Sequence, residues 1–367
     1  MAFSGSNLRI ARVFRGWSQE ELAKRVYAAT STISNVERGR EPDRSLRSAL
    51  ALVLGFEAEF FDQPLRTEFT VDDCHFRTKV STDERARKRV LARGSLFARV
   101  VEHLQGVLAF PAYNVPALNV ATDDEVEAAA ETCRAHWGLG KDLPIEHMGR
   151  VLENNGVIIT RLTDSLKLDA FSTSPRGNGP GFVVLNDAKG CATRSRMDMA
   201  HELGHLVMHR NVSGDLADRE RQATRFASAF LLPAEAFRRE FWAGGRVDWS
   251  LAFRLKARWK VSLQAMLYRA SDLGVINAVE FRRAYKMIAA RRWLVNEPHE
   301  PQMEEPELFA GAMRKLREKR GIEAGDIADA IHWTPKTFEE VTGWKLSAVE
   351  TRRLSLVKPV AKRMANA

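Results

Sequence analysis

His201-Glu202-Leu203-Gly204-His205 constrains this chain more than any other stretch. Two histidines four residues apart lie on the same side of an α-helix, one turn above each other. Apolar Met199, Leu206, Val207 and Met208 flank them, which places that helix in a core. A glutamate in such a helix is costly without a purpose. Imidazoles in this relation can bind one Zn2+ at adjacent corners of a tetrahedron. Glu202, between them, sits where a carboxylate can take a proton from an attacking water. The motif calls for a helical core built around a polar centre and proposes a hydrolytic reaction.

Hydrolytic zinc needs three protein ligands and an open position. The next helix starts near Leu216, with Val212, Ser213 and Gly214 supplying the bend before it. On it, Glu220, Ala223 and Ala227 share one stripe. Small alanines there let the two helices approach, which brings Glu220 to the metal as third ligand beside His201 and His205. Asp218 is the competing ligand, and its plainer role is a charge at a helix start. A solvated helix residue is the plainer role for Glu220. His209 continues the histidine face and is read as a support at the core edge. A small β section precedes the motif, with β-rich runs at 157–160, 169–173 and 182–186. Phe171-Ser172-Thr173 or Phe182-Val183-Val184 is expected either as an exposed edge for an extended substrate or as core strand.

A chain of 367 residues is too long for one ordinary core. Its net charge of +9 favours an acidic partner, nucleic acid first. Cys74, Cys133 and Cys191 are three and far apart, which suits neither a disulfide framework nor a cysteine zinc site. With no signal peptide and no membrane-length apolar run in view, a cytoplasmic protein without a membrane partner is expected.

Residues 1 to about 66 read as several short helices. Ser18 and Glu21 form a capping box ahead of a first helix, Gln19 to Val26. Tyr27 to Ala29 make a turn, and Thr30 to Arg38 a second helix. That order is a helix-turn-helix. Thr30, Ser31, Thr32 and Asn35 face outward to reach base edges, and Gln19, Arg38 and Arg40 are placed for phosphates. The plainer reading is a helical protein-interaction module. A long helix from Ser81 to Leu108 carries one apolar stripe. It reads as a connector, its stripe better suited to its own neighbours than to a homodimer seam. Glu125 to Trp137 is helical, and a last helical piece spans about 305–345 after a proline- and glutamate-rich linker. No internal repeat shows at a fixed period. The fold class is α+β and mostly α. The expected domains are 1–66 (helix-turn-helix), 67–119 (helical linker), 120–297 (zinc peptidase) and 298–367 (C-terminal helices).

Residues 7 to about 62 resemble the Xre/Cro helix-turn-helix repressors, through Ser18-Gln19-Glu20-Glu21-Leu22-Ala23 and Ser31-Thr32-Ile33-Ser34-Asn35-Val36-Glu37-Arg38-Gly39. Residues from about 120 to 240 resemble the ImmA/IrrE zinc metallopeptidases. The matching residues are Ala200 to Leu206 with His209, Glu220-Arg221-Gln222-Ala223, Phe226-Ala227 and Leu231-Leu232-Pro233. His75-Phe76-Arg77 and Trp259-Lys260-Val261-Ser262 are similar to flanking elements of such fused proteins. The resemblance implies a gluzincin-like zinc peptidase with Glu220 as third ligand, often one that cleaves a repressor. Three positions depart from the pattern. Tyr27 replaces a turn glycine, Ala29 a capping serine, and Thr224 an asparagine.

Two functions follow as expectations. One is a DNA-binding regulator whose zinc endopeptidase cleaves a regulatory protein, such as a repressor. The other is an antitoxin-like or autoregulatory DNA-binding protein whose metal domain senses or binds a partner, such as a toxin encoded nearby, without proteolysis.

Overall fold

Helix starts follow their caps. Ser18 Oγ accepts the Glu21 amide at 3.0 Å while the Glu21 carboxylate accepts the Ser18 amide at 2.6 Å, a closed capping box. Thr122 and Glu125 repeat the device at the start of a later helix. The structure is a computed structural model and describes residues 3–63, 65–70, 74–76, 84–162, 170–175, 179–186, 190–210, 215–241 and 246–346. The elements expected at 169 and 212–214 lie at least partly outside the described residues, as do Arg77 and the start of the long helix at 81–83.

The chain divides into two compact units, one of residues 1–71, 80–110 and 309–367, the other of 72–79 and 111–308. In the first lie α1 (Gly5–Phe14), α2 (Gln19–Arg25), α3 (Thr30–Glu37) and α4 (Arg44–Leu54), then a 3-10 turn, Ala58–Asp62, and α5 (Glu84–Gln105). The apolar stripe of α5 is spent inside this unit. Val90, Leu96, Phe97, Val101 and Leu104 are buried, and the helix packs against α1.

The second unit holds β1 (Cys74–Phe76), α6 (Asp123–His136), α7 (Met148–Asn154), β2 (Val157–Leu162), β3 (Ala170–Thr173) and β4 (Gly181–Asn186). It continues with α8 (Ala192–Met208), α9 (Leu216–Leu231), α10 (Ala234–Glu240), α11 (Trp249–Trp259), α12 (Leu263–Asp272) and α13 (Ala278–Ala290). The sheet order is β1-β3-β4-β2, antiparallel except for the parallel β2–β4 pair. Both strands considered as a substrate edge are therefore interior. Phe171 pairs with Phe76 on one side and Val184 on the other, and Val183 lies between Ile159 and Ser172. Residues 181–185 of β4 are all buried, as in a strand covered on both faces. On the sheet lies α8, against β3 and β4, and α9 packs on α8 and α6.

The proline- and glutamate-rich stretch after α13 is fastened to this unit, because its carboxylates meet buried cations. Glu297 accepts from Lys256 at 2.6 Å and Glu304 from Arg196, both cations almost wholly buried. The last helical piece is three helices, α14 (Leu308–Arg320), α15 (Ala324–Ala330) and α16 (Pro335–Thr342). Gly321 in the left-handed region and a Thr334 cap make the breaks. Among the described residues no helix is long and apolar enough to cross a membrane.

Candidate metal centre and helix-turn-helix

The close approach of α8 and α9 builds the centre. Ala223 and Ala227 are fully buried at the seam. Gly204 completes it from the other side, since a Cβ there would meet Ala223 Cα and Phe226 Cδ1 at 3.2 Å. Sequence reading found the alanines and missed the glycine, although it lies inside the histidine motif. Across this seam His201 Nε2, His205 Nε2 and the Glu220 carboxylate converge. The two Nε2 atoms are 3.1 Å apart, and they lie 3.3 and 3.2 Å from Glu220 Oε2 and Oε1. Among the described residues these three form the group able to hold a metal ion. Asp218 stands apart and exposed, 3.6 Å from Arg221.

Both Nε2 atoms face the centre, and the hydrogen bonds behind the histidines suit a tautomer with the proton on the far nitrogen. Thr224 Oγ1 donates its single proton to the Glu220 carbonyl at 2.8 Å, so toward His201 Nδ1, at 3.3 Å, it accepts. In that tautomer, the one suited to holding a metal, His201 carries its proton on Nδ1 and turns the Nε2 lone pair inward. Gln222 Oε1 accepts from His209 Nε2 at 2.9 Å, and His209 Nδ1 lies 2.9 Å from His205 Nδ1. Burial lowers the pKa of His209, which keeps it neutral and able to accept from His205 Nδ1–H. In the same tautomer His205 Nε2 is left as a lone pair. Supporting bonds of this kind orient metal-binding imidazoles. Thr224, the departure from the family pattern, thus fills the orienting role.

Burial by itself would raise the pKa of the Glu220 carboxyl. Interaction with His201 and His205 outweighs it and holds the group at about 2, so it is ionised across the physiological range. The low value requires imidazole protons on the Nε2 side, and a metal ion that replaces those protons meets two lone pairs and a carboxylate already converged. The donor set, two imidazole nitrogens and one carboxylate, suits a divalent ion of borderline softness.

Glu202 is wholly buried beside this group. Ser172 Oγ, at the centre of β3, donates to Glu202 Oε2 at 2.6 Å. A short hydrogen bond to a charged acceptor offsets part of the cost of burying it. Ser172 is the second residue missed from sequence. Its signal was a small hydroxyl residue next to Phe171 in a short strand whose residues are all buried.

In the other unit, α2 and α3 stand where the helix-turn-helix reading put them, each ending one residue earlier. Thr30 and Ser31 are exposed at the start of α3, Thr32 and Asn35 half-buried, and Arg38 and Arg40 exposed beyond its end. Arg38 donates to Ser34 at 2.9 Å. Gln19 is held differently from expectation. Its amide donates to Glu37 Oε2 at 2.6 Å, and the same carboxylate accepts two bonds from Arg12. Tyr27 turns the corner at φ +54°, and Ala29 gives α3 no side-chain cap.

Comparison with known families agrees with both constructions. Residues 8–61 match the family model described as helix-turn-helix, and residues 156–271 the one described as IrrE N-terminal-like domain. No curated protein matches the chain. The second match spans β2 to α12 and so contains the whole α8–α9 centre. The chain therefore joins an Xre-type helix-turn-helix DNA-binding segment to an IrrE/ImmA-like peptidase-family segment.

Proposed function

We propose that this chain is a DNA-binding transcription regulator with a zinc-dependent endopeptidase that cleaves a regulatory protein, a repressor for choice. The observation that carries the reading is a buried carboxylate, Glu202, next to a cluster in which two imidazole nitrogens and a carboxylate converge. His201, His205 and Glu220 would hold the ion. A divalent zinc ion bound there supplies Lewis-acid polarisation of water and of the scissile carbonyl.

The chain's own groups do the rest. Glu202 takes the proton of the attacking water as the new C–O bond forms, and returns it to the amine nitrogen as the C–N bond breaks. Ser172 holds Glu202 Oε2, so the carboxylate meets the water in one orientation. The orienting bonds of Thr224, His209 and Gln222 keep both imidazoles from rotating away. In this reading Thr30, Ser31, Thr32 and Asn35 reach bases, and Arg38 and Arg40 hold phosphates. Gln19 keeps such a role only by leaving Glu37.

The test is regulatory. A Glu202→Gln chain should bind zinc and DNA as the parent does and fail to relieve repression. If it binds zinc and keeps full regulatory activity, the peptidase reading falls, and a metal domain that senses or binds a partner takes its place.

A further inference from the structure

Two stretches far apart in the chain have the same design. Gln19–Arg25 and Thr30–Glu37 recur as Ala324–Ala330 and Pro335–Thr342, each boundary displaced by 305 residues. The residues that shape the motif recur at the same displacement. Gly16 and Gly321 end the preceding helix at φ +72° and +64°, and Tyr27 and His332 turn the corner at +54° and +62°. Ser18 and Glu323 both close capping boxes. Leu22, Ala23, Val26, Ile33 and Val36 are buried, and so are Ile327, Ala328, Ile331, Phe338 and Val341. Neither sequence periodicity nor the family match at 8–61 reaches this second stretch, because few identities remain beyond the core positions.

We propose that residues 308–343 are a second helix-turn-helix, whose reading edge has been rebuilt to clasp the first one rather than to enter DNA. In the first copy that edge, the turn and the start of α3, is open, and Tyr27 is 99 % exposed. In the second copy the same edge is engaged. Trp333, where the first copy has Ala28, is fully buried, 5.8 Å edge-on from the ring of Phe56. Thr334 and Thr337 donate to the Gly55 carbonyl at 2.8 and 2.5 Å, and the Glu57 amide donates to the His332 carbonyl at 2.9 Å. Thr337 corresponds to the half-buried Thr32 and is itself fully buried. Glu340, where the first copy has Asn35, pairs with Arg15.

The charge agrees with this use. Residues 323–342 carry five carboxylates and one lysine, a balance that repels a phosphate backbone. Each chain then presents one reading helix, and its C-terminal helices are the intramolecular partner of that reading unit.

Hydrogen exchange on the full chain tests this. Thr337→Val keeps the shape and removes the bond to Gly55, and Trp333→Ala removes the ring. Either variant should speed exchange at the Glu57 amide about tenfold while the amides of α2 keep their protection. Unchanged exchange at Glu57 in both variants overturns the clasp. Added to the parent chain, a DNA duplex of mixed sequence should protect α3 and leave α16 unaltered. Protection of α16 overturns the proposal. Protection of neither helix overturns the DNA reading of the first copy, and the Glu57 result still decides the clasp.

Discussion

Tyr27 is a bulky residue in the left-handed region at the corner of the helix-turn-helix, with its ring in solvent. The backbone strain of such a residue exceeds the extra unfolded-state entropy of a glycine. Tyr27→Gly should therefore stabilise the first unit by about 0.5 to 1 kcal/mol, read by thermal unfolding. A lower midpoint would show that the corner depends on the tyrosine side chain. Glu153 poses the opposite problem. Burial raises its carboxyl to about 7, against the amides of Glu307 and Leu308, which lower it. The folded chain then holds a proton that the unfolded chain releases, so stability falls as pH rises from about 4.5 through about 7. Between pH 5 and 8 the parent should lose on the order of 2 kcal/mol relative to Glu153→Gln in denaturant titrations. Parallel profiles would mean the carboxyl is not strained. At this scale the convergence of His201, His205 and Glu220 was legible from helix spacing. Ser172 and Gly204 were not, because their partners come from another strand and another helix.

Helix α8 works only with α9 held against it. Gly204 faces backbone, the Ala223 Cα at 3.2 Å and carbonyl oxygen at 3.3 Å, so a methyl there cannot be absorbed by rotating a side chain. Gly204→Ala should cost about 1 to 3 kcal/mol in unfolding experiments. By parting His205 from Glu220, it should also weaken zinc binding about tenfold or more in chelator competition. Unchanged affinity would mean that the ligand set does not depend on the helix spacing. The i, i+3, i+7 stripe of α9 made this seam readable in advance. Strand order was not readable, since periodicity tells which face is buried and nothing about which strands flank one another. β1, only three residues long, gave no periodic signal at all, and with it β3 became interior. The C-terminal helices were expected, but their likeness to the first ones escaped for another reason. Their shared pattern with α1 to α3 is carried by buried positions and corner angles, and the surface identities have diverged.

Across the whole molecule a basic chain carries a helix-turn-helix in one unit and a three-residue group able to hold a metal ion in the other. If Arg38 and Arg40 contact phosphates, replacing both with alanine should make the logarithmic salt dependence of DNA affinity shallower by about 2. An unchanged slope would place the phosphate contacts elsewhere. The central claim is that the buried centre performs peptide hydrolysis through Glu202. It is tested most directly by incubating zinc-loaded protein with the products of adjacent genes and following their intact masses, with zinc-loaded Glu202→Gln alongside at equal metal content. The account predicts one specific cleavage with the parent chain and none with the variant. Cleavage by both at the same rate would contradict it.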